Sequence, residues 1–487
     1  MRSYDLIVIG SGPAGQRAAV QAAKLDKSVV VIDKHRDLGG VAINTGTIPS
    51  KTMREAVVDL SGMRMRSQYR AMNDRRAVTS QELLQRTSQV MQRERDVIRD
   101  QLQRNGVQLM SGTASFVSPH DVRVDDHGDV VDLHGEFVLI AVGTTPGLPM
   151  DLTVDHELIL TSDDVLSLKR LPRQMVVVGG GVIGVEYATI FAAVGVKVTL
   201  LDKREHLLEM IDSEILDAFQ VHARELGVTL RLGEEVAQVQ AVGGQAIVTM
   251  KSGKRIATEL VLVSAGRQGA TADLGLERAG LSADDRGRLE VNASYQTVVP
   301  HIYAAGDCIG FPALASTSAE QGRLAALHAF GVPGNSIPEL FPFGIYAVPE
   351  ISWVGRNERD LTSEGVPFET GVARYREIAR GHILGDEHGM LKLIFHIDTR
   401  KILGVWTMGT QATELVHIGQ AVMALDGTLD FFVRNVFNYP TLAECYKVAA
   451  LDGFNKLRSL GLLSHAQAIA AEPPRLTEAE ESALRNA

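Results

Sequence analysis

Cysteine is nearly missing. Cys308 and Cys445 are the only two in 487 residues. Two are too few for a disulfide scaffold, and their spacing fits neither a metal site nor a redox pair, which accords with a reducing cytoplasm; no bond between them is expected. The 14 histidines are scattered without an HExxH element or a Cys/His cluster, so no metal site is expected. Positive charge is also in deficit: 49 Lys and Arg stand against 59 Asp and Glu, a formal balance of −10. That argues against a general affinity for nucleic acid or an anionic membrane and leaves small molecules or other proteins as partners. Long apolar runs are lacking too. Met175 to Val185, among the longest, is interrupted by glycines and falls well short of the ~20 residues of a spanning helix. The opening MRSYDLIVIGSG imitates a short secretory core, but Asp5 precedes the apolar stretch and no small-residue cleavage site follows it. A buried first strand is the better reading.

What is present is a globular composition, 45% apolar and 22% charged, in a chain long enough for roughly three domains. A strand pattern over Tyr4 to Ile9 runs into Gly10, Gly12 and Gly15, an alanine-rich helix and a second strand, Ser28 to Ile32. The grammar returns with Gln174 to Val178, then Gly179, Gly181 and Gly184, an apolar helix and the strand Val196 to Leu201. In each copy an aspartate, Asp33 or Asp202, follows 23 residues after the first glycine. Between the copies Ser80 to Gln103 predicts a long amphipathic helix with Leu84, Met91 and Ile98 at heptad spacing beside Leu83, Val90 and Val97. The arginines from Arg64 to Arg104 are interleaved with Glu94, Asp96 and Asp100, which favours a solvated face over a phosphate-binding surface. Two hairpins are expected, Ala246–Met250 with Arg255–Val263 and Leu391–Ile397 with Ile402–Met408, and a loose tail from about Ala466.

A glycine turn between strand and helix removes side chains where backbone must approach a pyrophosphate, and it aims a helix N-terminus at the charge. One such match is weak; two, each with strand, helix and acid in place, predict two dinucleotide sites. Asp33 and Asp202 are candidate ribose contacts, the alternative being strand-end turn residues. Lys203 and Arg204, following Asp202, are candidates for holding a 2′-phosphate.

Further segments carry a resemblance. Gly39-Gly40-Val41-Ala42-Ile43-Asn44-Thr45-Gly46-Thr47-Ile48-Pro49-Ser50-Lys51 resembles the redox loop of the flavoprotein disulfide reductases, and Ile140-Ala141-Val142-Gly143-Thr144, Ser264-Ala265-Gly266-Arg267 and Tyr303-Ala304-Ala305-Gly306-Asp307 match other segments of that family. The resemblance runs from about Tyr4 to Leu457. It implies an α/β chain with two Rossmann-like domains and a C-terminal α+β dimerisation domain: FAD on 1–150 with 271–340, NAD(P) on 151–270, dimerisation through 341–465, and a flexible tail over 466–487. It implies FAD contacts at Gly10, Gly12, Gly15, Asp33, Gly40, Thr47, Lys51, Gly143, Asp307 and Ala315, with Leu314 to Ser316 opening a helix toward the flavin. For NAD(P) it implies Gly179, Gly181, Gly184, Glu186, Asp202, Lys203, Arg204 and Gly266, and a homodimer or larger homo-oligomer.

The departures from that family decide the chemistry. Ala42 and Thr47 occupy the two redox-cysteine positions, so no dithiol can relay electrons. Tyr439-Pro440-Thr441-Leu442-Ala443-Glu444 has tyrosine where the family carries its proton-transferring histidine. One branch looks like this: the soluble, FAD-containing pyridine nucleotide transhydrogenases, which share Gly46 to Lys51, Phe437 to Thr441, Val182 to Tyr187 and Gly344 to Glu350. That branch often keeps the first loop cysteine, and Ala42 departs from it. The implied activity is hydride transfer between NADPH and NAD+ through a reduced-flavin ping-pong cycle, of the Si-specific type (EC 1.6.1.1), with NAD(H) and NADP(H) as substrates. Lys51 is the candidate electrostatic stabiliser of reduced flavin, paired by resemblance with Glu186; the alternatives are a structural ion pair and a surface charge. Thr47 is the candidate hydroxyl beside the ring, or a turn residue. Cys308 reads as a packing residue, and Cys445 alone cannot replace a two-cysteine relay. Two other functions are compatible with these motifs: an NAD(P)H dehydrogenase feeding a quinone or other small acceptor, and a catalytically silent structural or regulatory flavoprotein.

Overall fold

Continuous apolar runs bounded by glycine build the first sheet. The computed structural model describes residues 2–60, 78–148, 152–334 and 336–463. In the strand Arg2–Ile9, Leu6 and Val8 face the alanine-rich helix Pro13–Ala23, while Ile7 and Ile9 face the opposite layer with Phe116 and Val122. Burial on both faces is the signature of a parallel sheet covered on both sides. Strands Gln108–Ser111, Val29–Asp33, Arg2–Ile9, Asp129–Ile140 and Ile302–Ala304 run parallel side by side. Asp121–Asp126 and Thr113–Phe116 extend the sheet antiparallel. The helix Ala315–Ala329 packs on Pro13–Ala23 at a glycine: a Cβ on Gly322 would lie 2.0 Å from the Ala14 carbonyl oxygen.

The second copy forms its own parallel sheet in the order Val228–Leu232, Lys197–Asp202, Gln174–Val178, Leu260–Val263, Ile159–Thr161. One expectation is corrected here. Arg255–Val263 is two strands: Arg255–Thr258 closes the predicted hairpin on Gln245–Met250, and the fully buried Leu260–Val263 joins the parallel sheet. Four consecutive apolar residues pay for burial on both faces, which a hairpin arm does not offer. The long helix spans Ser80–Arg104 with a Thr79/Glu82 capping box. Its buried stripe is Leu83, Thr87, Met91, Ile98 and Leu102, whereas Val97 is 60% exposed, because a 3.6-residue turn carries position 97 off the seam.

These parallel sheets belong to one compact unit that, among the described residues, takes in 2–60, 78–148, 152–207, 227–334 and 336–338. A second unit gathers, among the described residues, 208–226 and 339–463. Within it an antiparallel sheet runs Phe343–Ile345, Ile351–Gly355, Ile402–Met408, Met390–His396, Phe368–Arg374, including the second predicted hairpin. Helices Ala412–Ala424 and Glu444–Ser459 contribute Leu415, Tyr446 and Phe454 to its core. The helix Ser213–Glu225 clusters with this unit rather than with the strands flanking it in sequence. A buried cation explains why: Lys392, fully inaccessible on a central strand, is 2.9 Å from Asp212 and 3.2 Å from Glu214, and also pairs with Glu358. Burial disfavours the ammonium, but Asp212 and Glu358 outweigh it and raise the lysine's pKa. The whole is α/β, as expected. The tail from Ala466, and the arginines of the 64–77 segment, lie outside the described residues.

Candidate functional site

The first glycine turn and the loops around it enclose a cavity of about 560 Å3, a size suited to a cofactor. Gly10, Gly12, Asp33, Gly40, Thr47, Gly143, Asp307 and Ala315 all line it, so eight residues singled out from sequence converge. Gly15 lies behind the wall. A Cβ there would sit 1.9 Å from the Gly10 carbonyl oxygen, so this glycine lets the helix seat against the strand. Gly12 has the opposite surroundings: a Cβ would meet nothing within 4 Å, and as the N-cap residue it leaves the helix's first N–H groups without a side-chain cap. Open space before uncapped donors, in a cavity of this size, fits the pyrophosphate of a dinucleotide such as FAD.

Asp33 is 8% exposed and already engaged: Oδ2 accepts the Ser11 N–H at 2.9 Å and the Ser11 hydroxyl at 2.6 Å, and Oδ1 accepts the His35 N–H at 2.9 Å. Ser11 Oγ in turn accepts from the Gly39 N–H. The acid therefore braces three wall segments, a duty invisible in its spacing. Asp307, opposite, accepts the Ser318 hydroxyl at 3.2 Å; burial pushes its carboxyl pKa up, against the opposing pull of that bond and of Arg267.

Thr47 opens the helix Thr47–Leu60 and faces the cavity, as does Ala42 on the short helix Gly40–Asn44. Lys51, one turn beyond Thr47, is not part of the cavity lining. Its Nζ donates to both carboxylate oxygens of Glu186 at 2.9 Å, and the Glu186 side chain is 4% exposed on the helix Val182–Ala193. A buried carboxylate clamped this way fixes where the lysine's charge sits.

In the second turn the glycines repeat the pattern of the first. A Cβ on Gly184 would lie 1.9 Å from the Gly179 carbonyl oxygen, and one on Gly181, again an N-cap, would meet nothing within 4 Å. Gly266, at positive φ, likewise has open space. Asp202 accepts the Gly180 N–H at 2.5 Å and the Arg204 N–H at 2.8 Å, matching Asp33 bond for bond. It then departs from Asp33: the Arg204 guanidinium folds back on it, Nε at 2.9 Å from Oδ1 and Nη2 at 2.7 Å from Oδ2. Burial would raise the Asp202 pKa; the Arg204 side-chain and backbone bonds and the Gly180 N–H outweigh it, and the net shift is downward. Lys203 points to solvent as an exposed residue.

Two participants carry no site role in the sequence reading. Arg267 donates from Nε and Nη2 to the hydroxyl and carbonyl of Thr144, both at 2.8 Å, and from Nη1 to Asp163 at 3.1 Å, tying together two segments of the cavity wall. Its adjacency to Gly266 was the available signal. Arg95, from the arginine-rich helix, bonds Asn44 at 2.9 Å and pairs with Asp37 at 3.2 Å, both wall residues. Cys308 and Cys445 are free and buried, and burial pushes each thiol up to about 12. Among the described residues no helix is long and apolar enough to cross a membrane.

Comparison with known proteins identifies the family. The family model described as pyridine nucleotide-disulphide oxidoreductase matches residues 4–322, and that of the dimerisation domain of the same family matches 341–450. The chain is 53% identical over 465 residues to a soluble pyridine nucleotide transhydrogenase of Mycobacterium tuberculosis, covering 94% of this chain and 99% of the relative. It is 41% identical over 461 residues to the protein of that name from Chromohalobacter salexigens, covering 94% and 99%. Among solved structures it resembles LpdA from M. tuberculosis, with a TM-score of 0.85 at 27% identity over 92% of this chain and 99% of that one. The HOCl-induced flavoprotein disulfide reductase RclA from Escherichia coli gives a TM-score of 0.83 at 27% identity over the same shares.

Proposed function

The chain belongs to the pyridine nucleotide-disulphide oxidoreductase family and transfers hydride between NADPH and NAD+ with FAD as cofactor, and from that premise we propose that the fixed charge of Lys51 takes the place of a redox dithiol. FAD supplies, when bound, a ring nitrogen that accepts a hydride and gives it up again. The residues do the rest by position. The first glycine turn holds the pyrophosphate on the uncapped helix N-terminus, Asp33 keeps that turn in shape while reaching the ribose, and Asp307 contacts the flavin's sugar-alcohol chain. Thr47 offers a small hydroxyl where a thiolate would otherwise lie. Glu186 orients Lys51 so that its ammonium offsets negative charge as it develops. The second turn, with Gly179, Gly181, Gly184 and Gly266, takes the nicotinamide nucleotides in alternation. We assign FAD to 1–150 with 271–340 and NAD(P) to 151–270. The C-terminal part, matched by the dimerisation model, is assigned to a homo-oligomer, the enzyme to the Si-specific class, and its place to the cytoplasm.

The observation that carries this reading is the loop itself: Ala42 and Thr47 occupy the thiol positions, and both cysteines of the chain are buried with raised pKa values. Turnover of NADPH with matched concentrations of NAD+, a quinone and lipoamide tests it. NAD+ should be the preferred acceptor and lipoamide inert; robust disulfide reduction, or preference for the quinone, would overturn it.

A further inference from the structure

The second unit brings together two histidines and a glutamate that the hydride chemistry does not use. His222 and Glu225 lie three residues apart on the helix Ser213–Glu225 and so share a face, and His388 reaches them from the loop between the helix Ala379–Leu384 and the strand Met390–His396. A Glu225 carboxylate oxygen stands 3.8 Å from His222 Nδ1 and 3.7 Å from His388 Nε2, and one ligand atom from each residue falls within 4.8 Å of the others. We propose that His222, Glu225 and His388 form a binding site for a first-row divalent ion of the zinc class.

Three features favour an ion over a plain surface cluster. The separations exceed hydrogen-bonding distance, yet an ion at about 2.0–2.2 Å from each atom would bridge them after a small inward movement. His222 Nδ1 is buried and has no hydrogen-bond partner, and an orphaned ring nitrogen inside a protein needs an occupant. The His222 and His388 rings lie 4.4 Å apart between centroids and tilted by 57°, so both set a ring nitrogen beside the same Glu225 carboxylate oxygen. The loop residue His388 is also braced. Asp386 Oδ1 accepts the N–H groups of His388 at 3.2 Å and Gly389 at 2.8 Å, and its Oδ2 accepts the Thr410 N–H at 2.7 Å, so the loop presenting His388 is held before any ion arrives. Two imidazoles and one carboxylate select Zn2+, Cu2+ or Ni2+ over Mg2+ and Ca2+, which require all-oxygen shells, and leave a position for water. Bound there, the ion would clip the Ser213–Glu225 helix to the 386–389 loop, beside the anchor that Lys392 already provides.

The test uses the full-length holoenzyme without an affinity tag, washed with EDTA and then titrated with ZnCl2 by calorimetry, with thermal unfolding in parallel. One zinc per chain should bind and raise the melting temperature, and MgCl2 should give neither effect. In His388→Ala, a change at an exposed residue, affinity should fall by about 100-fold or more with flavin content and zinc-free melting unchanged. Glu225→Ala, also exposed, should weaken binding likewise and stands in if the first variant fails to fold. No zinc uptake, uptake undiminished in the foldable variant, or equal response to magnesium would each overturn the proposal.

Discussion

The two glycine turns are near-duplicates in backbone and differ in one partner. In both, a Cβ on the third glycine would lie only 1.9 Å from the first glycine's carbonyl oxygen, the middle glycine opens onto empty space, and the terminal aspartate accepts N–H groups from the turn and from two residues downstream. The difference lies in what neutralises the acid: Asp33 bonds the uncharged Ser11 hydroxyl, Asp202 the Arg204 guanidinium. A turn built for one resident ligand can spend its acid on bracing the wall. A turn that must accept nucleotides with and without a 2′-phosphate is better served by an acid and a base held together, each available to one substrate.

The largest expected effect separates the two turns. Gly15→Ala forces the first helix off its strand, a strain of about 1–3 kcal/mol or more, and should yield protein without flavin. Gly184→Ala should keep its flavin and lose reduction by NADPH. Flavin content and bleaching by NADPH read both, and flavin loss in both variants would dissolve the distinction. Next, Lys51→Ala should retain FAD while slowing its reduction about 30- to 1000-fold, the equivalent of about 2–4 kcal/mol of electrostatic stabilisation; stopped-flow reduction at the parent rate would remove the lysine from the account. Smaller is the effect at the second acid. Arg204→Ala leaves both backbone bonds to Asp202 in place, so it should weaken NADPH use by about 1.5–3 kcal/mol and spare NADH. Asp202→Ala should favour NADPH relative to NADH, with a loss common to both because Gly180 is left without its acceptor. Steady-state kinetics with each donor decide it, and equal losses in both variants would mean that the pair only shapes the turn. No effect at all is expected from alkylating reagents or arsenite on the native enzyme near neutral pH, since both thiols are buried and protonated there; inhibition would point to a thiol in the cycle.

Much of this was readable from spacing. Strand, glycine and helix occur where the two repeated patterns place them, because a parallel strand buried on both faces must be apolar throughout and a phosphate turn must shed its side chains. Glycine spacing could not show that Asp33 and Asp202 hold their own turns, since a ribose acid and a bracing acid occupy the same position. In sequence Leu260–Val263 reads as a hairpin arm because periodicity does not distinguish antiparallel from parallel partners in a four-residue apolar run. Lys51 and Glu186, 135 positions apart, were paired only through family resemblance. The bonds of Arg267 to Thr144 and Asp163, the attachment of Ser213–Glu225 to the second unit and the meeting of His222 with His388 depend on tertiary contacts that no local pattern carries.

The central claim is that hydride passes from one nucleotide to the other at a flavin site without a dithiol. Its most direct test is an anaerobic titration of the holoenzyme with NADPH followed by NAD+, after pretreatment with arsenite. The account predicts that NADPH bleaches the flavin's visible absorbance at one equivalent per FAD and that NAD+ restores it with NADH formed in equal amount. Bleaching that arsenite alters, or absorbance that NAD+ does not restore, would contradict it.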